Sequence, residues 1–316
     1  MRASHICKEL YEGILGRESY GTIHSIFKNS INILSEDNRL ISVITANKPM
    51  APNTIKVDTL YNFDDRNIHI GERGRFTTTS FISEHFDIYY ESCILWDKTV
   101  NLSCRNCNLE ELLLKLQLMG KFILHHGNKS EIFILLQSLR EEFKYADNIL
   151  DGNYDLGKSE LFIKDRFLEF IKNFREYKLE TINLNAKKVI GFGSGLTPSM
   201  DDFISGMMIA NIYISHFLGL KIDDAYILNY EIVSDIENRT TLVSEEMLKS
   251  SCIGEANEDI RNLMMNLIGV TSEENIDELF TRVVDLGHSS GTDILCGIYI
   301  GSNILLSSIK EEDRWE

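Results

Sequence analysis

Two stretches of this chain, Ser199-x-x-Asp202-x-x-x-Gly206 and Ser290-x-x-Asp293-x-x-x-Gly297, follow one pattern, and each opens a long apolar run. The spacing predicts two helices, each with a carboxylate in its first turn and a glycine one turn deeper, where the missing side chain lets another backbone come close. Gly301 repeats the vacancy four residues on. Phe203, Met207, Ala210, Ile214 and Phe217 continue the first helix at helical period, and the charge-free run from Ile294 to Ile309 reads as a helix buried in a core or against another subunit. The expected arrangement is a crossing near Gly206 and Gly297 that brings both aspartates to one pocket. Chance similarity of two capped, buried helices is the alternative.

Each helix head follows a glycine loop. Val189-Ile190 leads into Gly191, Gly193 and Gly195, which can adopt backbone angles closed to other residues and let a ligand approach the main chain. Thr197 reads as an N-cap and Pro198 as the first helical residue, so the free N–H groups of that start should suit an anion. Asp201 and Asp202 oppose a bare phosphate. At about 4 Å two like charges repel by roughly 4 kcal/mol at an effective dielectric of 20, against about 1 kcal/mol from the helix dipole. Either a divalent cation bridges the pair, or the aspartates hold a donor such as an –NH2 group while the glycine amides hold the anionic end. The plain alternative is a tight turn followed by acids that favour the helix dipole. Neither loop is a P-loop or a dinucleotide fingerprint, since no lysine follows the glycines and their spacing is wrong.

Between the loops lies Arg239-Thr240-Thr241-Leu-Val-Ser244. One threonine can cap the helix that follows while the other, or Ser244, faces the pocket, and the planar fork of Arg239 suits a carboxylate. An ordinary helix start with an exposed arginine fits equally well.

Three motifs, Gly191-Phe-Gly-Ser-Gly-Leu-Thr-Pro-Ser-Met-Asp-Asp-Phe-Ile-Ser-Gly206, Arg239-Thr-Thr-Leu-Val-Ser-Glu-Glu-Met-Leu248 and Gly287-His-Ser-Ser-Gly-Thr-Asp293, together resemble the AllH-like subunits of bacterial oxamate carbamoyltransferase, which are associated with FdrA-like proteins. His24-Ser-Ile-Phe27 is a weaker echo. Ser194 stands where the family usually has proline, and Met200 where it usually has glycine. The resemblance implies a role in purine or allantoin breakdown, with oxalurate and phosphate converted to oxamate and carbamoyl phosphate by a three-subunit enzyme that includes FdrA-like partners. Such chemistry must hold a phosphate, stabilise an oxyanion and manage a leaving nitrogen. The glycine amides with Thr197, Ser199, Ser289, Ser290 and Gly291 are candidates for the first two needs. His288 is the candidate to move a proton, histidine being the usual side chain for that task at neutral pH, and Asp202 and Asp293 to hold the carbamoyl –NH2 or a magnesium ion. His288 merely capping its helix is the alternative for that residue. A non-catalytic ligand-binding or scaffold subunit, and a metal-assisted hydrolase of a ureido compound, are the alternative functions.

The rest of the chain bounds these readings. Strands are expected over 22–27, 30–34, 40–45, 54–57 and 85–90, separated by turn-rich pieces, and from Asn108, which opens a capping box with Glu111, helical period dominates. The expected class is α+β: a small β-rich, barrel-like domain over residues 1–107, then a larger all-helical domain over 108–316 that carries both glycine loops. Residues 146–158 read as a loop within the second. A net charge of −16 argues against nucleic acid or anionic membrane as partner, while a small anion can still be held by local dipoles. No apolar stretch reaches the length of a membrane span and the first residues lack a signal core, so a cytoplasmic location is expected. Cys104-x-x-Cys107 is the only close cysteine pair, without the second pair that a zinc site needs.

Overall fold

The computed structural model describes residues 1–14, 18–59, 62–64, 66–99, 102, 107–136, 138–139, 155–271 and 274–312. The chain separates into two compact units, residues 1–100 with 256–258, and residues 101–255 with 259–316. The class is α+β, with a β-rich N-terminal part and a mostly helical C-terminal part.

The first unit is a curled half-barrel sheet. Its strands are β1 (Ala3–Cys7), β2 (Ser19–Phe27), β3 (Ser30–Ser35), β4 (Leu40–Ile44), β5 (Thr54–Val57), β6 (Arg73–Phe76), β7 (Ser80–Ile82), β8 (Asp87–Tyr89) and β9 (Ile94–Trp96), with one helix, α1 (Lys8–Ile14), after the first. They lie in the order β8-β7-β6-β2-β3-β4-β5-β1-β9. Curling brings the far ends together: Arg2 forms a parallel bridge with Tyr89, and the Tyr89 amide donates to the Met1 carbonyl at 2.9 Å. Inward residues at period two, such as Ile31 and Ile33 of β3, Val43 of β4 and Ile55 and Val57 of β5, fill the concave face with Phe76 and Phe81. Each such side chain contributes about 1.5–3 kcal/mol on burial.

Five strands fall where the apolar alternation places them. Four others escape it for local reasons: β1 runs straight into α1, β6 reads Arg-Gly-Arg-Phe, and β7 and β9 are three residues long. Such short or charged pieces become strands through their neighbours rather than through their own propensity.

The second unit holds α2 (Leu109–His126), α3 (Glu131–Leu135), α4 (Lys158–Arg175), α5 (Leu179–Ala186), α6 (Ser199–Leu218), α7 (Ile222–Val233), α8 (Leu242–Cys252), α9 (Glu258–Leu267), α10 (Ile276–Val284) and α11 (Ser290–Glu312). Asn108 caps α2 by accepting from the Glu111 amide at 2.9 Å. The core is the pair α6 and α11. Nearly every residue of α6 is buried, which is why its sequence is apolar on all sides, and α11 is buried from Gly291 through Ser302. Among the described residues no helix is long and apolar enough to cross a membrane. Cys104 and most of the loop expected over 146–158 lie outside the described residues; Lys158 already opens α4.

Candidate functional site

The two helix heads meet because their glycines do. A Cβ built on Gly206 would lie 2.2 Å from the Ile294 carbonyl oxygen, and one on Gly297 would lie 2.0 Å from the Phe203 carbonyl oxygen. Only backbone fits between α6 and α11 at this crossing. One turn N-terminal to each glycine stands the matching aspartate, Asp202 on α6 and Asp293 on α11, and both are fully buried at 1% and 0% exposure.

Neither carboxylate has the partners that burial ordinarily demands. Both oxygens of Asp202 and Oδ2 of Asp293 are without a hydrogen bond among the described residues. Burial pushes the Asp202 carboxyl up to about 7; the Ser290 and Thr197 hydroxyls beside it pull back, and the charge of Asp201 adds to the rise. Those two hydroxyls hydrogen-bond each other at 3.0 Å and so join the loops. Burial likewise holds Asp293 well above the usual carboxylate range. The Ser130 hydroxyl, which donates to Oδ1, opposes that, while the charges of Asp202 and Glu131 reinforce it. Every charge acting on the two is negative. An ionised carboxylate so placed costs the fold on the order of several kcal/mol, so the pair favours holding a proton or a donor group.

Asp201 is different. Its oxygens accept from the Gly191 amide at 2.7 Å, the Thr240 hydroxyl at 2.5 Å and the Ser244 hydroxyl at 2.6 Å. Burial still raises its carboxyl, with these donors opposing the shift. Thr241 caps α8 by accepting from the Ser244 amide at 3.1 Å and donates to the Leu196 carbonyl at 2.5 Å. Gly191, Asp201, Thr240, Thr241 and Ser244, expected to line the ligand site, therefore brace the first loop against the start of α8. Asp201 has its donors within the chain, and the aspartates with unbonded oxygens are Asp202 and Asp293. Among the described residues no group of three His, Cys, Asp or Glu side chains could hold a metal ion.

Other expected residues are redistributed too. Pro198, not Thr197, takes the N-cap position of α6, and the Met200 amide donates to the Phe192 carbonyl at 3.0 Å instead of pointing free. Ser199 is buried and its hydroxyl donates to Glu131 at 3.0 Å. Gly291 is a packing glycine, since a Cβ there would sit 1.8 Å from the Val283 carbonyl oxygen. Arg239 is exposed and its guanidinium donates to the Lys187 carbonyl at 3.3 Å. His288 is exposed in the turn before α11, with Ser289 half-buried beside it. Gly193 and Gly195 have φ of 116° and 100°, and the amides from Gly193 through Leu196 make no hydrogen bond among the described residues, so the exposed tip of the first loop keeps donors for an anion.

The segment Asn128 to Glu131 also belongs to this neighbourhood and carries no mark that sequence reading would single out. A serine cap before glutamate looks like any helix start.

Two family models match the chain. The one described as oxamate carbamoyltransferase subunit AllH covers residues 189–302, which include both glycine loops and the 239–248 motif, and the AllH family N-terminal domain covers residues 2–95. No solved structure matches. Together the two models span most of the sequence, and the chain belongs to the AllH family of oxamate carbamoyltransferase subunits.

Proposed function

We propose that this chain is a subunit of a carbamoyltransferase that interconverts oxalurate plus phosphate with oxamate plus carbamoyl phosphate, acting with FdrA-like partner subunits. The observation that supports it most is the pair of buried, incompletely bonded carboxylates, Asp202 and Asp293, at the heads of two crossing helices beneath two polar loops. Fully partnered carboxylates would be structural; an under-partnered pair kept at a cost in stability belongs to a site that handles protons or donors.

In phosphorolysis, a phosphate oxygen attacks the ureido carbonyl carbon and the bond from that carbon to the oxamate nitrogen breaks. That nitrogen leaves only if it gains a proton. Asp202, poised at about 7, holds a proton at neutral pH that it can give to the nitrogen and recover in the reverse direction. Asp293, held protonated or facing an –NH2 group, fixes the carbamoyl end. The anionic ends fall to the free amides of Gly193 to Leu196 and to the Thr197, Ser289 and Ser290 hydroxyls, with His288 at the exposed rim as a second proton carrier and Arg239 available to a carboxylate.

A second reading has one observation in its favour. Both aspartates are closed off in the isolated chain, as expected of a ligand-sensing subunit whose site opens only within an assembly. The chain purified with its partners, supplied with oxalurate and phosphate, should release carbamoyl phosphate. Ligand binding without product in the complete complex favours the sensing role instead.

A further inference from the structure

Residues 127–131, between α2 and α3, run across the heads of both site helices. The Asn128 amide donates to the Thr292 hydroxyl at 2.9 Å, and the Asn128 side chain donates to the His288 carbonyl at 2.5 Å. The Ser130 hydroxyl donates to Asp293 Oδ1, and the Ser199 hydroxyl donates to Glu131 at 3.0 Å. Ser130 also caps α3 by accepting from the Phe133 amide at 3.1 Å, so its oxygen and its hydrogen have separate partners. Glu131, the first residue of α3, accepts from Ser199 of α6.

The Ser199 hydroxyl has one hydrogen and two acidic neighbours, Glu131 and Asp293. Glu131 takes it, and Asp293 Oδ2 is left without a donor. We propose that the Ser130–Glu131 turn is a positioning arm of the carboxylate pair: Ser130 orients Asp293 through one oxygen, while Glu131 diverts the Ser199 hydrogen and adds its own charge, keeping the pair protonated. This rests on the reading of Asp202 and Asp293 as groups that hold the working proton. The charged or titratable groups facing the pair are Asp201 from α6, Glu131 from α3 and, one turn along α11, the Cys296 thiol, which burial first and Asp293 second keep protonated.

The two arms of the turn pull in opposite directions, and that makes the proposal testable. Glu131→Gln removes a negative charge and leaves Ser199 only a weaker, neutral acceptor in competition with Asp293, so the pair should lose its proton at lower pH, by on the order of one pH unit. Ser130→Ala removes a donor to the carboxylate and should move the same titration upward. Two readouts apply. In the assembled enzyme, the pH profile of carbamoyl transfer should shift down for Glu131→Gln and up for Ser130→Ala, in kcat more than in KM, and Glu131→Asp should restore the wild-type profile in part. In the isolated chain, the pH midpoint of the folding-stability profile should shift in the same directions, a result that needs no enzymatic activity and stands even where the transferase reading fails. Midpoints unmoved by either variant, or moved the same way by both, overturn the proposal. A uniform loss of activity at every pH does so too, because it marks a merely structural turn. If one variant fails to fold, the shift of the other decides.

Discussion

Gly206 and Gly297 face each other at the crossing of α6 and α11, where a Cβ on Gly297 would come within 3.0 Å of the Gly206 Cα. That contact places Asp202 and Asp293 together. Gly206→Ala and Gly297→Ala should each lower unfolding stability by about 3 kcal/mol, near the upper end for forced overpacking, because rigid backbone on the far side cannot yield. Gly195→Ala is the control: its Cβ meets almost nothing, and its φ of 100° costs about 1 kcal/mol. Urea denaturation of the three variants gives the ranking. Equal, small losses would contradict a backbone crossing.

Adjacent aspartates should respond oppositely. Asp201→Ala strands the Gly191 amide, the buried Ser244 hydroxyl and the half-buried Thr240 hydroxyl, at a cost of about 3 kcal/mol. Asp202→Asn removes an uncompensated buried charge and should hold or raise stability at pH 8. Denaturation midpoints at that pH test the contrast, and a large destabilisation by Asp202→Asn would contradict the reading of Asp202 as poorly partnered.

Some features of the site show in the sequence and others do not. The crossing was legible, because close backbone approach leaves a glycine at a fixed distance from each helix start. The separate tasks of Asp201 and Asp202 were not: neighbours on a helix point about 100° apart, and which one faces the second helix depends on packing. Ser130 was hidden as well, since its partner Asp293 lies 163 residues away. Five strands, three-residue β8 among them, follow apolar alternation, whereas the equally short β7 and β9 exist only as additions to a formed sheet. The first loop was legible as glycines, but not the bond from the Met200 amide to Phe192 that removes one expected donor.

Stability should fall as pH rises from 5 to 8. Asp202 titrates near 7 in the fold and near 3.8 unfolded, and Asp293 and Asp201 are shifted the same way. Between those values the folded chain binds more protons than the unfolded one. The contribution is therefore complete below about pH 4 and is lost as pH rises through the folded value, with a slope of up to about 1.4 kcal/mol per pH unit for each group. Chemical denaturation at several pH values should show this slope, and Asp202→Asn should flatten it. A stability that rises over the same range would contradict the assignment.

Thr197 and Ser290 join the two loops through one 3.0 Å hydroxyl contact. Thr197→Val keeps the shape and removes that bond, so stability should change by about 1 kcal/mol or less. Ligand binding should suffer more than stability. A tenfold or larger rise in KM for phosphate or oxalurate, on the order of one lost hydrogen bond to a charged ligand, is expected from steady-state kinetics of the assembled enzyme. Unchanged kinetics would remove the hydroxyl from the site.

The most direct measurement is carbamoyl phosphate formation from oxalurate and phosphate by the complete complex carrying Asp202→Asn, Asp293→Asn or both. Each variant should fold and assemble, since each replaces an under-partnered carboxylate with a neutral group of the same size, and each should lose activity by about a hundredfold or more, the usual weight of a positioned proton donor. Full activity in the double variant would contradict the placement of the site at the heads of α6 and α11.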